Sequence, residues 1–129
     1  MLVRALVLLA VIGAAGTGWW VLKRAPRGLT RLDLPELGVS GPAIVQFSAP
    51  YCGPCTWTAP VLARTAAEAS VTFRSVDVAA CPELASRYHI RTVPTIVVAA
   101  ADGSVLGTWT ALPQNGEIAH AAQAAALAR

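Results

Sequence analysis

Three cysteines are too few to staple a chain of 129 residues, so a disulfide-framed scaffold is excluded and thiol chemistry has to come from a local arrangement. Charge is scarce too. Only 13% of residues are Asp, Glu, Lys or Arg, and none of these falls between Ala5 and Leu22. Aromatics make up 6% and are not interleaved with bases as a nucleic-acid surface requires, which sets nucleic acid aside as a partner. No internal repeat is visible, and the length allows one domain with an appendage.

The uncharged stretch explains most of the high mean hydropathy of +0.55. As a helix at ~1.5 Å per residue it would reach about 27 Å, close to the roughly 30 Å of a bilayer core, with Trp19 and Trp20 near one interface. Residues 1–22 are therefore expected to form a single-pass transmembrane anchor. The competing reading is a cleaved secretory signal, with Arg4 as its basic end and a small-residue site near Gly13 to Gly16. Against it, the apolar run continues through Trp19-Trp20-Val21-Leu22.

Lys23, Arg24, Arg27 and Arg31 follow the anchor, whereas only Arg4 and the terminal amine precede it. The positive-inside rule then places the remainder on the cytoplasmic face. The formal charge of +3 comes largely from this cluster, which suits a topology signal or anionic headgroups. Residues 23–42, punctuated by Pro26, Gly28, Pro35, Gly38, Gly41 and Pro42, read as a basic linker with at most one short strand near Leu29 to Leu34.

Beyond it, Ala43 to Ser48 is an apolar run of strand length that ends in a tight corner at Pro50-Tyr51. Cys52-Gly53-Pro54-Cys55 follows and opens a helix expected over residues 53–69. A thiol at a helix start meets unpaired N–H groups and a positive macrodipole end, which favour a thiolate. The second thiol, one turn on, is placed to resolve a mixed disulfide. The same spacing would suit half of a zinc site, but that needs Cys81 and His89 or His120 to converge, and no metal is expected. Further strands are expected over 71–78, 94–100 and 104–110, and helices over 82–88 and 116–128. The first two strands should be parallel because a helix joins them, and Asp102-Gly103 is a hairpin signal. Pro60, inside the first of these helices, should kink it.

The segment from Val45 to Pro60 (VQFSAPYCGPCTWTAP) resembles the active-site strand, corner and first helical turns of the thioredoxin family. A second match, Tyr88-His89-Ile90-Arg91-Thr92-Val93-Pro94-Thr95, resembles the family's segment carrying a cis proline beside the redox pair. With Asp77 and Asp102-Gly103, the resemblance covers roughly Ala43 to Ala128. It implies an α/β fold with a central mixed sheet flanked by helices in residues 43–129. It also implies a thiol–disulfide oxidoreductase, with Cys52 as nucleophile and Cys55 as resolving thiol. Tyr51, Gly53 and Pro54 would form the active-site loop, and Thr92, Val93 and Pro94 the surface where an extended substrate docks.

The implied reaction needs no cofactor beyond the Cys52–Cys55 couple. Its partners would be a disulfide-containing protein and a thiol donor, either a thioredoxin reductase or a transmembrane thiol carrier. The Gly-Pro dipeptide is, by analogy, that of reducing members. An outward-facing oxidase or isomerase and a non-catalytic binding module are the alternatives.

Several positions depart from the family pattern. Gln46 stands where most thioredoxins have a buried aspartate that takes the proton of the resolving cysteine, and Phe73 stands where that aspartate's lysine partner is usual. An amide cannot titrate, so slower resolution is expected. Ser48 replaces a common tryptophan, and Thr110 lies near a usual glycine of the docking surface, which points to a particular partner. Cys81, at a helix start, is either a regulatory thiol or structurally indifferent. His89 and His120 read as ordinary loop and surface residues.

Overall fold

The structure, a computed structural model, describes residues 1–24 and 28–128, with side chains at 1–16 and 28–128. Helix α1 spans Leu2–Arg24 and is followed by β1 (Ala43–Ser48), α2 (Gly53–Ala69), β2 (Thr72–Asp77) and α3 (Pro82–Arg87). β3 (Thr95–Ala99), β4 (Val105–Trp109) and α4 (Glu117–Leu127) complete the chain. The sheet runs in the order β2-β1-β3-β4. The β1 and β2 strands are parallel, joined by α2 as a crossover, and the β1–β3 and β3–β4 pairs are antiparallel. This is the expected mixed sheet flanked by helices. Helix α2 runs unbroken through Pro60, which lacks only one backbone donor.

Period-two alternation along β1 sends its side chains to two different cores. On one face Ile44, with Ile96 and Val98 of β3, meets Leu62 and Ala66 of α2 and Ile118, Ala122 and Ala125 of α4. On the other, Val45 and Phe47 meet Leu84 and Tyr88 at α3 together with Leu32, Leu34, Leu37 and Val39. Phe47 is fully buried, with its ring centroid 6.0 Å from that of Tyr88. Such burial contributes about 1.5–3 kcal/mol.

That second face corrects the expected linker. From Leu32 onward the segment is part of the domain, because alternate apolar side chains close one side of the sheet. The Asp33 N–H donates to the Tyr88 hydroxyl at 3.0 Å, and Arg87 pairs with Glu36. The possible short strand is a single antiparallel bridge, Arg31 to Ser104, flanked by bonds from Leu32 N to Gly103 O (2.8 Å) and from Val105 N to Thr30 O (3.0 Å). Gly103 has φ +87, and a Cβ there would run into the Leu32 carbonyl, so the hairpin turn and the strap that crosses it both require glycine.

The described part of α1 carries apolar side chains on every side, all exposed, among them Leu2, Leu9 and Ile12. Among the described residues no helix is long and apolar enough to cross a membrane. The side chains of the expected interfacial tryptophans, Trp19 and Trp20, and of Lys23, Arg24 and Arg27 lie outside those described.

Glu117, in the first turn of α4, accepts from Trp109 Nε1 at 2.7 Å and from Asn115 Nδ2 at 3.0 Å. These two bonds hold its carboxyl below the ordinary 4.5. A carboxyl depressed in the folded state stabilises the fold above its unfolded value and loses that contribution as pH falls through the lower folded value. Stability of the parent is therefore expected to decline below about pH 4.5, and Glu117→Gln should remove part of the slope. Urea midpoints between about pH 3 and 6 measure it; parallel curves for the two proteins would contradict the assignment.

Candidate functional site

The corner after β1 is closed by the Cys52 N–H donating to Ala49 O at 3.0 Å, which turns the chain into α2. Cys52 is the N-cap, in an extended conformation, and its sulfur accepts from the Cys55 N–H at 3.2 Å. One of the helix's orphan donors is thus aimed at the leading sulfur, where negative charge on a thiolate would be stabilised. Pro54 sits in the first turn, where its missing N–H costs nothing, and the Thr58 hydroxyl donates to the Pro54 carbonyl at 2.6 Å.

Cys52 and Cys55 are joined in a disulfide, their Cα atoms 5.4 Å apart. Both are largely covered, at 7% and 6% exposure, so the approach to the pair is narrow. Their cover includes Ala49, Val78 and Val93. Val93 brings in the second sequence motif: the Val93–Pro94 peptide is cis, and the Thr95 hydroxyl donates to Thr92 O at 2.7 Å across it. Thr92 is exposed and Pro94 buried. Two motifs some forty residues apart thus meet at one pair of sulfurs.

Gln46 is fully buried. Its Nε2 donates to the backbone carbonyl of Cys55 at 3.3 Å, while Oε1 has no hydrogen-bond partner. The amide therefore holds the backbone of the resolving cysteine. Phe73 packs on the core shared by α2 and α4, so the place of the usual lysine is filled by apolar surface. Ser48 bonds Ser75 between hydroxyls at 3.1 Å. Asp77 accepts from the N–H groups of Ala79 and Ala80 at 2.8 and 3.2 Å, which makes it a turn former.

Tyr51 stands 80% exposed before the pair, and Trp57, 59% exposed, follows it. Trp57 is absent from the residues expected from sequence; its signal is a large aromatic at the start of the second turn of a helix whose apolar stripe runs through Leu62 and Ala66. Cys81 is free and caps α3, half-buried against the core. His89 has φ +53 just after α3, and the next N–H, of Ile90, donates back to Ala85 O at 2.8 Å. That is a helix-ending motif with His where Gly is usual. His120 lies in α4. Among the described residues no group of three or more His, Cys, Asp or Glu gathers as a metal site would need.

Comparison with known proteins agrees with this geometry. The family model described as Thioredoxin matches residues 36–123. A chloroplastic M-type thioredoxin of Triticum aestivum is 36% identical over 68 residues, 51% of this chain and 39% of that protein. Thioredoxin of Staphylococcus aureus is 36% identical over 72 residues, 54% of this chain and 69% of that protein. Among solved structures, a single-site mutant of thioredoxin from Halobacterium salinarum superposes with a TM-score of 0.59 at 28% identity, over 67% of this chain and 76% of that one. Oxidised thioredoxin O1 of Arabidopsis thaliana gives 0.50 at 28% identity, over 57% and 68%. The match thus spans about two fifths of the chloroplast relative and about two thirds of the bacterial one.

Proposed function

The chain belongs to the thioredoxin family, and from that premise we propose that it is a membrane-tethered thiol–disulfide oxidoreductase that reduces disulfides in a partner protein. The observation that carries this reading is the Cys52–Cys55 disulfide at the N-terminus of α2 with Val93 packed beside it. The reaction runs on the protein's own sulfurs, as it does across the family, and requires no cofactor.

In the dithiol form the Cys52 thiolate attacks one sulfur of the partner's disulfide. A bond forms between Cys52 and that sulfur, and the other partner sulfur leaves as a thiolate and takes up a proton. Cys55 then loses its proton and attacks Cys52 Sγ, and the second partner sulfur is expelled as a thiol. Two electrons pass to the partner, and the Cys52–Cys55 disulfide remains, which is the form in this structure. Exposed Thr92 and half-buried Val93 offer backbone to which an extended segment can add as a strand. A reductase of the flavin and NADPH type, or a transmembrane thiol carrier, would return the dithiol.

The tether rests on the uncharged run Ala5 to Leu22 and on an α1 whose described apolar side chains are uncovered on all sides, a pattern that fits lipid better than water. The excess of Lys23, Arg24, Arg27 and Arg31 behind it over Arg4 before it supports a cytoplasmic domain under the positive-inside rule.

Full-length protein should remain in the membrane pellet after alkaline carbonate extraction. Its couple should equilibrate near −270 mV, and it should reduce insulin disulfides with a thiol donor. A potential near −120 mV would reverse the direction of exchange, and release by carbonate would remove the tether.

A further inference from the structure

A groove of about 590 Å³ runs from the strap at Gly28–Arg31, past the end of α3, to Thr92, Thr95 and the edge of β4. Its lining has a one-sided chemistry. Arg31, Arg87, Arg91 and His89 contribute to it, with hydroxyls such as those of Thr92 and Thr108, and no Asp or Glu lines it. Part of that charge is offset from outside the wall: Arg87 pairs with Glu36, and Arg31 faces the Asp102 carboxylate, which also accepts from the Ser104 N–H at 2.9 Å. Arg31 spends one N–H on the Asp102 carbonyl at 2.9 Å. Arg91 is exposed and makes no ion pair among the described residues.

The position of the groove decides what it can read. Thr92 belongs both to its wall and to the loop whose next residue, Val93, covers the disulfide. Arg91 is two residues from Val93, a span of at most about 7 Å along the chain. A segment laid along Val93 with its cysteine at Cys52 therefore carries its neighbouring residues into the cationic groove.

We propose that this groove selects the substrate: it binds Asp or Glu side chains flanking the target cysteine of the partner protein. The proposal rests on the reductase reading above. Anionic lipid headgroups have compatible chemistry, and the strap follows the N-terminal helix. Continuity with the docking loop favours the peptide.

The test uses full-length protein in neutral detergent and three disulfide peptides that differ only in two residues beside the target cysteine: Asp-Asp, Asn-Asn or Lys-Lys. Turnover per unit concentration is expected to be about fivefold higher for the Asp peptide than for the Asn peptide at low salt, the ratio that an exposed ion pair can supply. The Lys peptide should be slowest. In Arg91→Gln the Asp-to-Asn ratio should fall to about one.

Equal turnover of the three peptides in the parent, or an unchanged ratio in Arg91→Gln, overturns the groove and leaves the reductase reading intact. If the three turn over equally and short-chain phosphatidylglycerol binds the parent but not Arg91→Gln, the groove belongs to lipid. Absence of turnover on all three counts against the reductase reading instead. The same peptides with serine for cysteine, titrated for binding, then decide the groove: tighter binding of the Asp form supports it, and equal binding overturns it.

Discussion

Replacing Cys52 by serine is expected to lower insulin reduction at least about a thousandfold, on the order of the loss when a covalent nucleophile is removed. Replacing Cys55 by serine should leave the first step intact and halt the second. The reason is positional. Cys52 Sγ is the atom that receives the N–H of Cys55, so it is the sulfur on which negative charge is stabilised. Cys55 sits inside the first turn with its carbonyl tied to Gln46, and the two sulfurs are equally covered, so the helix-end donor rather than exposure separates their roles. One turn on, it is well placed to meet Cys52. Cys55→Ser should therefore accumulate a mixed disulfide visible on a non-reducing gel and cleared by dithiothreitol, whereas Cys52→Ser should accumulate none. A mixed disulfide formed equally well by Cys52→Ser would reverse the two roles.

Neither variant is expected to unfold the domain, because the cores that hold it lie on the two faces of the sheet and the thiol pair sits at one end of β1. The small cluster around the cysteines contains only Ala49 with Val78 and Val93 at its margin. Loss of activity without a shift in urea midpoint relative to the reduced, dithiol parent is the expected signature, and it separates chemistry from folding.

What could be read from the sequence follows from how local its cause is. Strand β1 and helix α2 fall where an apolar run, a corner and a helix-start proline place them, and the hairpin turns at Asp102-Gly103 because its chemistry is contained in the turn. Residues 32–42 were legible only as a linker with a possible short strand at its start, not as one side of the core. Leu32, Leu34 and Leu37 are separated by Asp33, Pro35 and Glu36, and the segment forms a single bridge in place of a ladder. What orders it is contact with Tyr88 and Gly103, far along the chain. The cationic groove was invisible for the same reason, since Arg31 and Arg91 are sixty residues apart and only the fold brings them to one wall. Gln46 was legible as a buried departure, but the choice between the sulfur of Cys55 and its carbonyl depends on a side-chain direction that alternation does not specify.

That direction makes Gln46→Asp the sharpest probe of the resolving step. In the mixed disulfide Cys55 must lose a proton before it attacks, and a free thiol has a pKa near 8.5, so without a base the thiolate fraction limits the rate and grows with pH through neutrality. An amide cannot take that proton. A carboxylate in the same buried place can, and burial raises its own pKa toward neutrality, where a general base is most effective. Resolution at pH 7 is expected to accelerate by about a hundredfold, the lower end of what general-base catalysis supplies, with the rate levelling off at a lower pH than in the parent.

The substitution has a structural cost, because the bond from Nε2 to the Cys55 carbonyl is lost and a carboxyl takes its place, roughly 1–3 kcal/mol. Gln46→Asn isolates that cost: it is as short as Asp and carries no charge, so it should lose stability and show no acceleration. Stopped-flow decay of the mixed disulfide across about pH 6–8 measures both variants. Equal rates for Asp and Asn would mean that proton removal from Cys55 does not limit turnover, and that Gln46 serves only to fix the first turn of α2.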